Sequence, residues 1–160
     1  MAQEEAISGF VTVSPVGSMA TTNVAKNAVD KNIGKIKITA GENDSTVSSV
    51  VIRHSGLGND ADIENIKLSL NGIDVTNEGR ISSSSHIATL RFTPALELKA
   101  GSSMTFDVLV SLSGAENNRH DFAVEAVNVV NGTADGLPFD LGTLLTTSYS
   151  VGDITATLAE

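Results

Sequence analysis

The stretch VIRHSGLGNDADIENIKLSLNG, Val51 to Gly72, places an apolar β-branched run, a loop dense in glycine and carboxylates, and a second apolar run one after another. Ile63, Ile66, Leu68 and Leu70 form a mostly period-2 stripe, the spacing at which strand side chains return to one face. Asn71-Gly72 closes the second run, and this dipeptide tolerates the positive φ angles of a tight hairpin. The stretch reads as a β-hairpin architecture carrying an acidic loop.

Strand signals recur on both sides of it. Gly9 to Val16 alternates around Val11 and Val13, and Ile33 to Ala40 puts Ile36, Ile38 and Ala40 on one face. Val47 to His54 is rich in β-branched residues, Asp62 to Leu70 follows, and Ile87 to Phe92 keeps Ala88, Leu90 and Phe92 in phase. The clearest run is Ser103 to Ser113, where Met104, Phe106, Val108, Val110 and Leu112 repeat every second residue, so all five are expected on the core face. Phe122 to Val130 and Ile154 to Leu158 are two further strands, and Thr143 to Val151 is a weaker one. Glycine and asparagine turns separate them, at residues 41–44, 77–79, 100–101, 131–132 and 135–136. Met19 to Asn32 lacks alternation; Val24, Ala25, Ala28 and Val29 lie at helical spacings and predict a short helix or an ordered connector.

The pattern predicts an all-β, immunoglobulin-like or jelly-roll sandwich of about eight or nine antiparallel strands. With no internal repeat or linker-like shift in composition, residues 1–160 are expected to form one domain. A chain of 160 residues buries roughly 70% of its unfolded surface without staples, and with no Cys neither disulfides nor thiolate metal sites arise.

Nineteen acidic residues against ten basic ones give a formal net charge of −9, a field that repels a phosphate backbone, so nucleic acid is not an expected partner. Aromatic residues make up only 4% of the chain, which removes most stacking platforms for bases or sugar rings. No apolar run approaches the roughly 20 residues of a membrane-spanning helix. The opening Met1-Ala2-Gln3-Glu4-Glu5 is acidic, lacks an apolar h-region, and fits a chain whose signal peptide has been removed.

The order of the segments Gly9-Phe10-Val11-Thr12-Val13-Ser14, residues 32–40, residues 55–68 and Leu98-Lys99-Ala100-Gly101 through Val108 resembles the immunoglobulin-like β-sandwich modules of large cell-surface and surface-layer-like proteins, notably those of candidate-phylum bacteria. The resemblance covers about Gly9 to Val130. It implies an extracellular or cell-surface module with a structural or adhesive role and no catalytic residue.

The sequence contains no nucleophile elbow, zinc-protease helix, phosphate loop or dinucleotide fingerprint. His54, His86 and His120 are scattered along it and read as exposed or turn-capping residues, so the chain is not expected to be an enzyme; a hydrolase is the remotest alternative. Asp60, Asp62 and Glu64 alternate. An extended backbone would project all three carboxylates to one side, giving a candidate Ca²⁺ site of hard oxygen ligands beside the simpler reading of a solvated acidic loop. The pattern lacks the glycine and the terminal Glu of an EF-hand. Asn43-Asp44-Ser45 and Asn131-Gly132-Thr133 match the glycosylation sequon, and turn chemistry alone explains both asparagines.

The first strand is followed by an irregular connector long enough for residues 1–16 either to fold back as an ordinary first strand of their own sandwich, the simpler reading, or to act as an exchanged or edge strand. Ile7, Val11, Val13 and Val16 would then set register against a neighbouring copy. The expected function is a structural subunit or module of an extracellular surface layer or filament, self-associating through sheet edges and acidic loops. The alternative is an extracellular ligand- or glycan-binding module.

Overall fold

The computed structural model describes residues 9–17, 20–113 and 118–146. Its strands are β1 Gly9–Val16, β2 Ala20–Val24, β3 Lys31–Ala40, β4 Ser45–Ser55, β5 Ile63–Leu70, β6 Ile73–Asp74, β7 Ile87–Leu98, β8 Ser103–Leu112, β9 Arg119–Val129, β10 Gly132–Asp135 and β11 Phe139–Thr146, with one 3₁₀ turn at Asp60–Asp62. One sheet runs in the order β10-β1-β3-β8-β5-β6 and the other β2-β11-β9-β4-β7. Their inward faces share one apolar cluster that includes Val11, Ile36, Ile66 and Val108 from the first sheet and Val50, Leu90, Phe122 and Leu144 from the second. Phe92 and Phe106 join the two layers, with ring centroids 5.3 Å apart in a tilted pair. The chain is a β-sandwich, as the alternation predicts.

The hairpin that decides the fold is present. Asn71 and Gly72 both adopt positive φ, 52° and 84°, and join β5 to β6. The imperfect period of Ile63, Ile66 and Leu68 has a physical cause: the β5–β8 register shifts between Ile63 and Asn65. This bulge inserts one residue and returns Ile63 to the core side, where it is 3% exposed.

Several expectations are corrected. The sheets are mixed rather than purely antiparallel, because β1 runs parallel to β10 and β2 parallel to β11. The described part of the segment 19–32 gives no helix. Residues 20–24 form a strand, and Ala28 N–H donates to the Ala25 carbonyl in a turn, so the buried Val24, Ala25 and Ala28 arise from a strand end and a turn. Met104 lies across from Ile38 but is 36% exposed; it stands at the open rim, one residue into β8, whereas Phe106, Val108, Val110 and Leu112 are buried. The strand expected at 154–158 lies outside the described residues, as does the end of that expected at 143–151; its beginning belongs to β11.

β1 is not an edge. It pairs with β3 on one side and β10 on the other, and Val11 and Val13 are 0% and 1% exposed in the chain's own core. Of the residues expected to set an assembly register, only Val16 is exposed, and Ile7 lies outside the described residues. Among the described residues no helix is long and apolar enough to cross a membrane.

Candidate functional site

The loop between β4 and β5 folds back over one end of the second sheet, and the reason lies in its glycines and in Asp60. Gly56 takes a φ of 98°. A Cβ there would meet the Arg119 carbonyl oxygen at 2.5 Å, so glycine is required on both counts. Two residues on, Gly58 N–H donates to that carbonyl at 3.0 Å. A Cβ on Gly58 would fall 2.0 Å from Cε1 of His120; the bare backbone rests on the imidazole.

Asp60 then pins the far side of the loop. Its Oδ1 lies 2.7 Å from Nδ1 of His54 and its Oδ2 2.6 Å from Nδ1 of His86. A carboxylate only accepts, so in this arrangement both imidazoles donate from Nδ1. His54 reaches further inward, with Nε2 2.8 Å from Nδ1 of His120. The three histidines that sequence reading leaves scattered are therefore one network, brought together by the end of β4, the start of β9 and the turn before β7. A backbone bond joins two of these segments, His54 N–H donating to His86 O at 2.9 Å, and another ties the 3₁₀ turn to the end of β8, Ser113 N–H donating to Asp62 O at 2.9 Å.

Burial is graded along the network. The side chain of His86 is 54% exposed, that of Asp60 13% and that of His54 1%, while His120 is 0% exposed. His120 Nε2 has no hydrogen-bond partner among the described residues. Burial pushes the Asp60 carboxyl up, but hydrogen bonds from His54 and His86 outweigh it and hold the group below its ordinary value. Burial, and then the proximity of His54, hold His120 below the usual imidazole value; Asp62 and Asp121 oppose that shift.

Above the network lies an open hollow of about 470 Å³ bordered by Arg53, His54, Ser55, Asp60, His86 and residues 56–59. Two smaller hollows adjoin it on the outer face of β4, β9 and β11. One, of about 220 Å³, shares Ser55 and adds Arg119, Asp121 and Thr143. The other, of about 260 Å³, shares Arg53 and adds Glu125 and Phe139. Asp140 borders both. Arg53 pairs with Glu125 and Arg119 with Asp121, and the Thr143 hydroxyl donates to Asp121. The result is one polar surface with fixed charge pairs.

The expected carboxylate trio does not assemble in this way. Residues 60–62 form a 3₁₀ turn instead of an extended run, Asp60 turns into the histidines, and Glu64 is exposed at the β5 bulge. Among the described residues no group of three His, Cys, Asp or Glu side chains is arranged to hold a metal ion. Sequence spacing held no signal for the histidine network, because His54, His86 and His120 meet only through strand pairing and a loop crossing.

No protein-family model matches the chain, and no curated protein matches it. Among solved structures it is similar to a family 123 glycoside hydrolase from Clostridium perfringens, with a TM-score of 0.50 and 12% identity over 89% of this chain and 28% of that one. It is also similar to the seventh ScaB type I cohesin from Pseudobacteroides cellulosolvens, with a TM-score of 0.36 and 9% identity over 89% of this chain and 94% of that one. The chain spans about 28% of the length of the hydrolase chain. The likeness is one of β-sandwich fold alone.

Proposed function

We propose that this chain is a non-catalytic binding module of an extracellular or cell-surface assembly, and that its recognition surface is the 55–60 loop end with the adjoining outer face of β4, β9 and β11. The observation that carries the reading is the convergence of Arg53, His54, Asp60 and His86 around one hollow. A few positioned polar groups around a concavity are what fix a ligand's orientation. The Gly56 and Gly58 contacts and the Asp60 hydrogen bonds hold the loop in advance, which lowers the ordering cost of binding. The surface carries Asp60, Asp121, Glu125 and Asp140 against Arg53 and Arg119, and this balance suits neutral polyhydroxyl or cationic partners over phosphate and other anions.

Catalysis is not part of the proposal. The inner end of the Asp60–His54–His120 chain is a buried nitrogen against Gly58, with no hydroxyl or thiol nucleophile on it among the described residues. The extracellular assignment draws on the resemblance to surface modules alone.

A second reading, self-assembly into a surface layer or filament, has two short strands in its favour. β2 and β10 end their sheets and pair on one side only among the described strands. The longest edge, β7, is already blunted: Asn77 N–H donates to Arg91 O, Thr93 N–H to Val75 O, and Pro94 follows.

Sedimentation of the full chain from micromolar to millimolar concentration tests the choice. A single monomeric species, with amide shifts around Arg53, Ser55 and His86 on titration with a panel of neutral oligosaccharides and cationic peptides, is the expected result. Growth of ordered polymers with no response at that surface would overturn the binding reading in favour of self-assembly.

A further inference from the structure

We propose that the buried His54–His120 pair is a proton-operated latch on the 56–62 loop, ordering the recognition hollow while His120 is neutral and releasing it when His120 is charged. The inference concerns regulation of the surface described above and rests on that reading for its biological purpose, but not for its physics.

The 2.8 Å between His54 Nε2 and His120 Nδ1 leaves room for one hydrogen. Whichever ring donates, the other must offer a lone pair. With Nδ1–H of His54 given to the Asp60 carboxylate, its Nε2 accepts from Nδ1–H of His120, and a proton added to His120 goes to Nε2, which has no partner among the described residues. That leaves a charged N–H buried without an acceptor against the Gly58 backbone. The ring is then driven toward water. Because the Gly58 backbone lies on the His120 ring and Gly58 N–H is bonded to Arg119 O next to it, displacing the ring displaces the loop.

The ionisable surroundings of His120 come from each neighbouring element. β4 brings His54, the 3₁₀ turn brings Asp60 and Asp62, the turn before β7 brings His86, and its own strand brings Arg119 and Asp121. β11 faces it with Leu144, which does not titrate. The carboxylates favour the charged ring, but burial and His54 oppose it more strongly. An imidazole held below its ordinary value of 6.5 in the folded state contributes stability that is fully present above about 6.5 and lost as pH falls through the depressed value. The latch therefore opens on acidification.

The test is backbone amide exchange on the full chain without ligand, from pH 7.5 to 4.5 and corrected for intrinsic chemistry. Protection at Gly58 and Asp62 should fall about tenfold per pH unit once His120 titrates, while the interior amides of β4 and β9 stay protected. A His120→Phe chain should lose this pH dependence. Should that variant not fold, ¹⁵N titration of the wild-type imidazoles must show His120 charging in step with loss of Gly58 protection. Flat protection at Gly58 across a range in which His120 titrates would overturn the latch. Since no ligand is present, that failure leaves the binding reading standing; an intact latch with no binder at any pH would strike the binding reading alone.

Discussion

His54 and His120 lie on adjacent strands with their rings stacked at 24° and joined by a nitrogen–nitrogen contact of 2.8 Å. The register explains the meeting. His54 stands directly across from Phe122, so His120, two residues earlier on β9, is its diagonal neighbour on the same inward face. Phe122 closes the other side of His54 at 5.3 Å between centroids. Two polar rings thus occupy the end of an apolar core, and the loop carrying Asp60 covers them.

Acid should weaken the fold in two steps with different causes. His120 is held below 6.5, so melting temperature should decline as pH drops below about 6.5, each unit of depression being worth about 1.4 kcal/mol. Asp60 is held below 3.8, so its contribution is full above that value and is lost only at lower pH. Calorimetry on wild type and His120→Phe should show the upper step vanish in the variant. An identical upper step in both chains contradicts the assignment.

Gly58→Ala should uncouple the loop from the body. The added methyl falls 2.0 Å from a ring with no exposure, and neither can yield without moving. Loss of Gly58–Arg119 pairing and a clear drop in melting temperature are expected. Gly101→Ala serves as the reference: its surroundings are open and only its φ of 75° opposes the change, at a cost of about 1 kcal/mol. Equal effects at the two positions would remove the argument from packing.

Phe106→Ala should cost about 3 to 5 kcal/mol, as large core deletions do, because Phe106 is 1% exposed and packs against Phe92 across the sheets. Met104→Ala, two residues earlier on the same face, should cost less than about 1 kcal/mol because that side chain is 36% exposed. Chemical denaturation measures both, and comparable losses would mean that the rim of β8 is closed.

Val11→Ala and Val13→Ala should each destabilise the monomer by about 2 kcal/mol through lost burial. Both side chains belong to the chain's own core, and β1 is paired on both sides. Unchanged monomer stability combined with altered association would restore the view of β1 as an intermolecular strand.

Millimolar Ca²⁺ should leave the melting temperature unchanged at neutral pH. Both Asp60 oxygens are engaged by histidines, and Asp62 and Glu64 do not join Asp60 in a group arranged for metal. A calcium-dependent rise that Asp62→Asn abolishes would show that the loop rearranges to make a cage.

The sandwich was legible in the sequence because its core strands alternate. Phe106, Val108, Val110 and Leu112 occupy the face that their period assigns, and Asn71-Gly72 makes the turn that its dipeptide favours. The short strands β2, β6 and β10 were not legible, since two to five residues carry too little period to separate from turns. The parallel pairings of β1 and β2 are long-range choices made by the packed sheets. The acidic loop stands out in the sequence, but the geometry expected of it does not hold: the alternation of Asp60, Asp62 and Glu64 assumes an extended backbone, and the 3₁₀ turn directs Asp60 toward partners 6 and 26 residues away.

The central claim is that the chain's three histidines and Asp60 act as one hydrogen-bonded network, and ¹⁵N-imidazole NMR of the full chain at pH 7.5 tests it most directly. The account predicts Nδ1–H on both His54 and His86, a single hydrogen shared between His54 Nε2 and His120 Nδ1, and slow solvent exchange for that hydrogen. Three imidazoles with rapidly exchanging hydrogens, each titrating independently of the others, would contradict it.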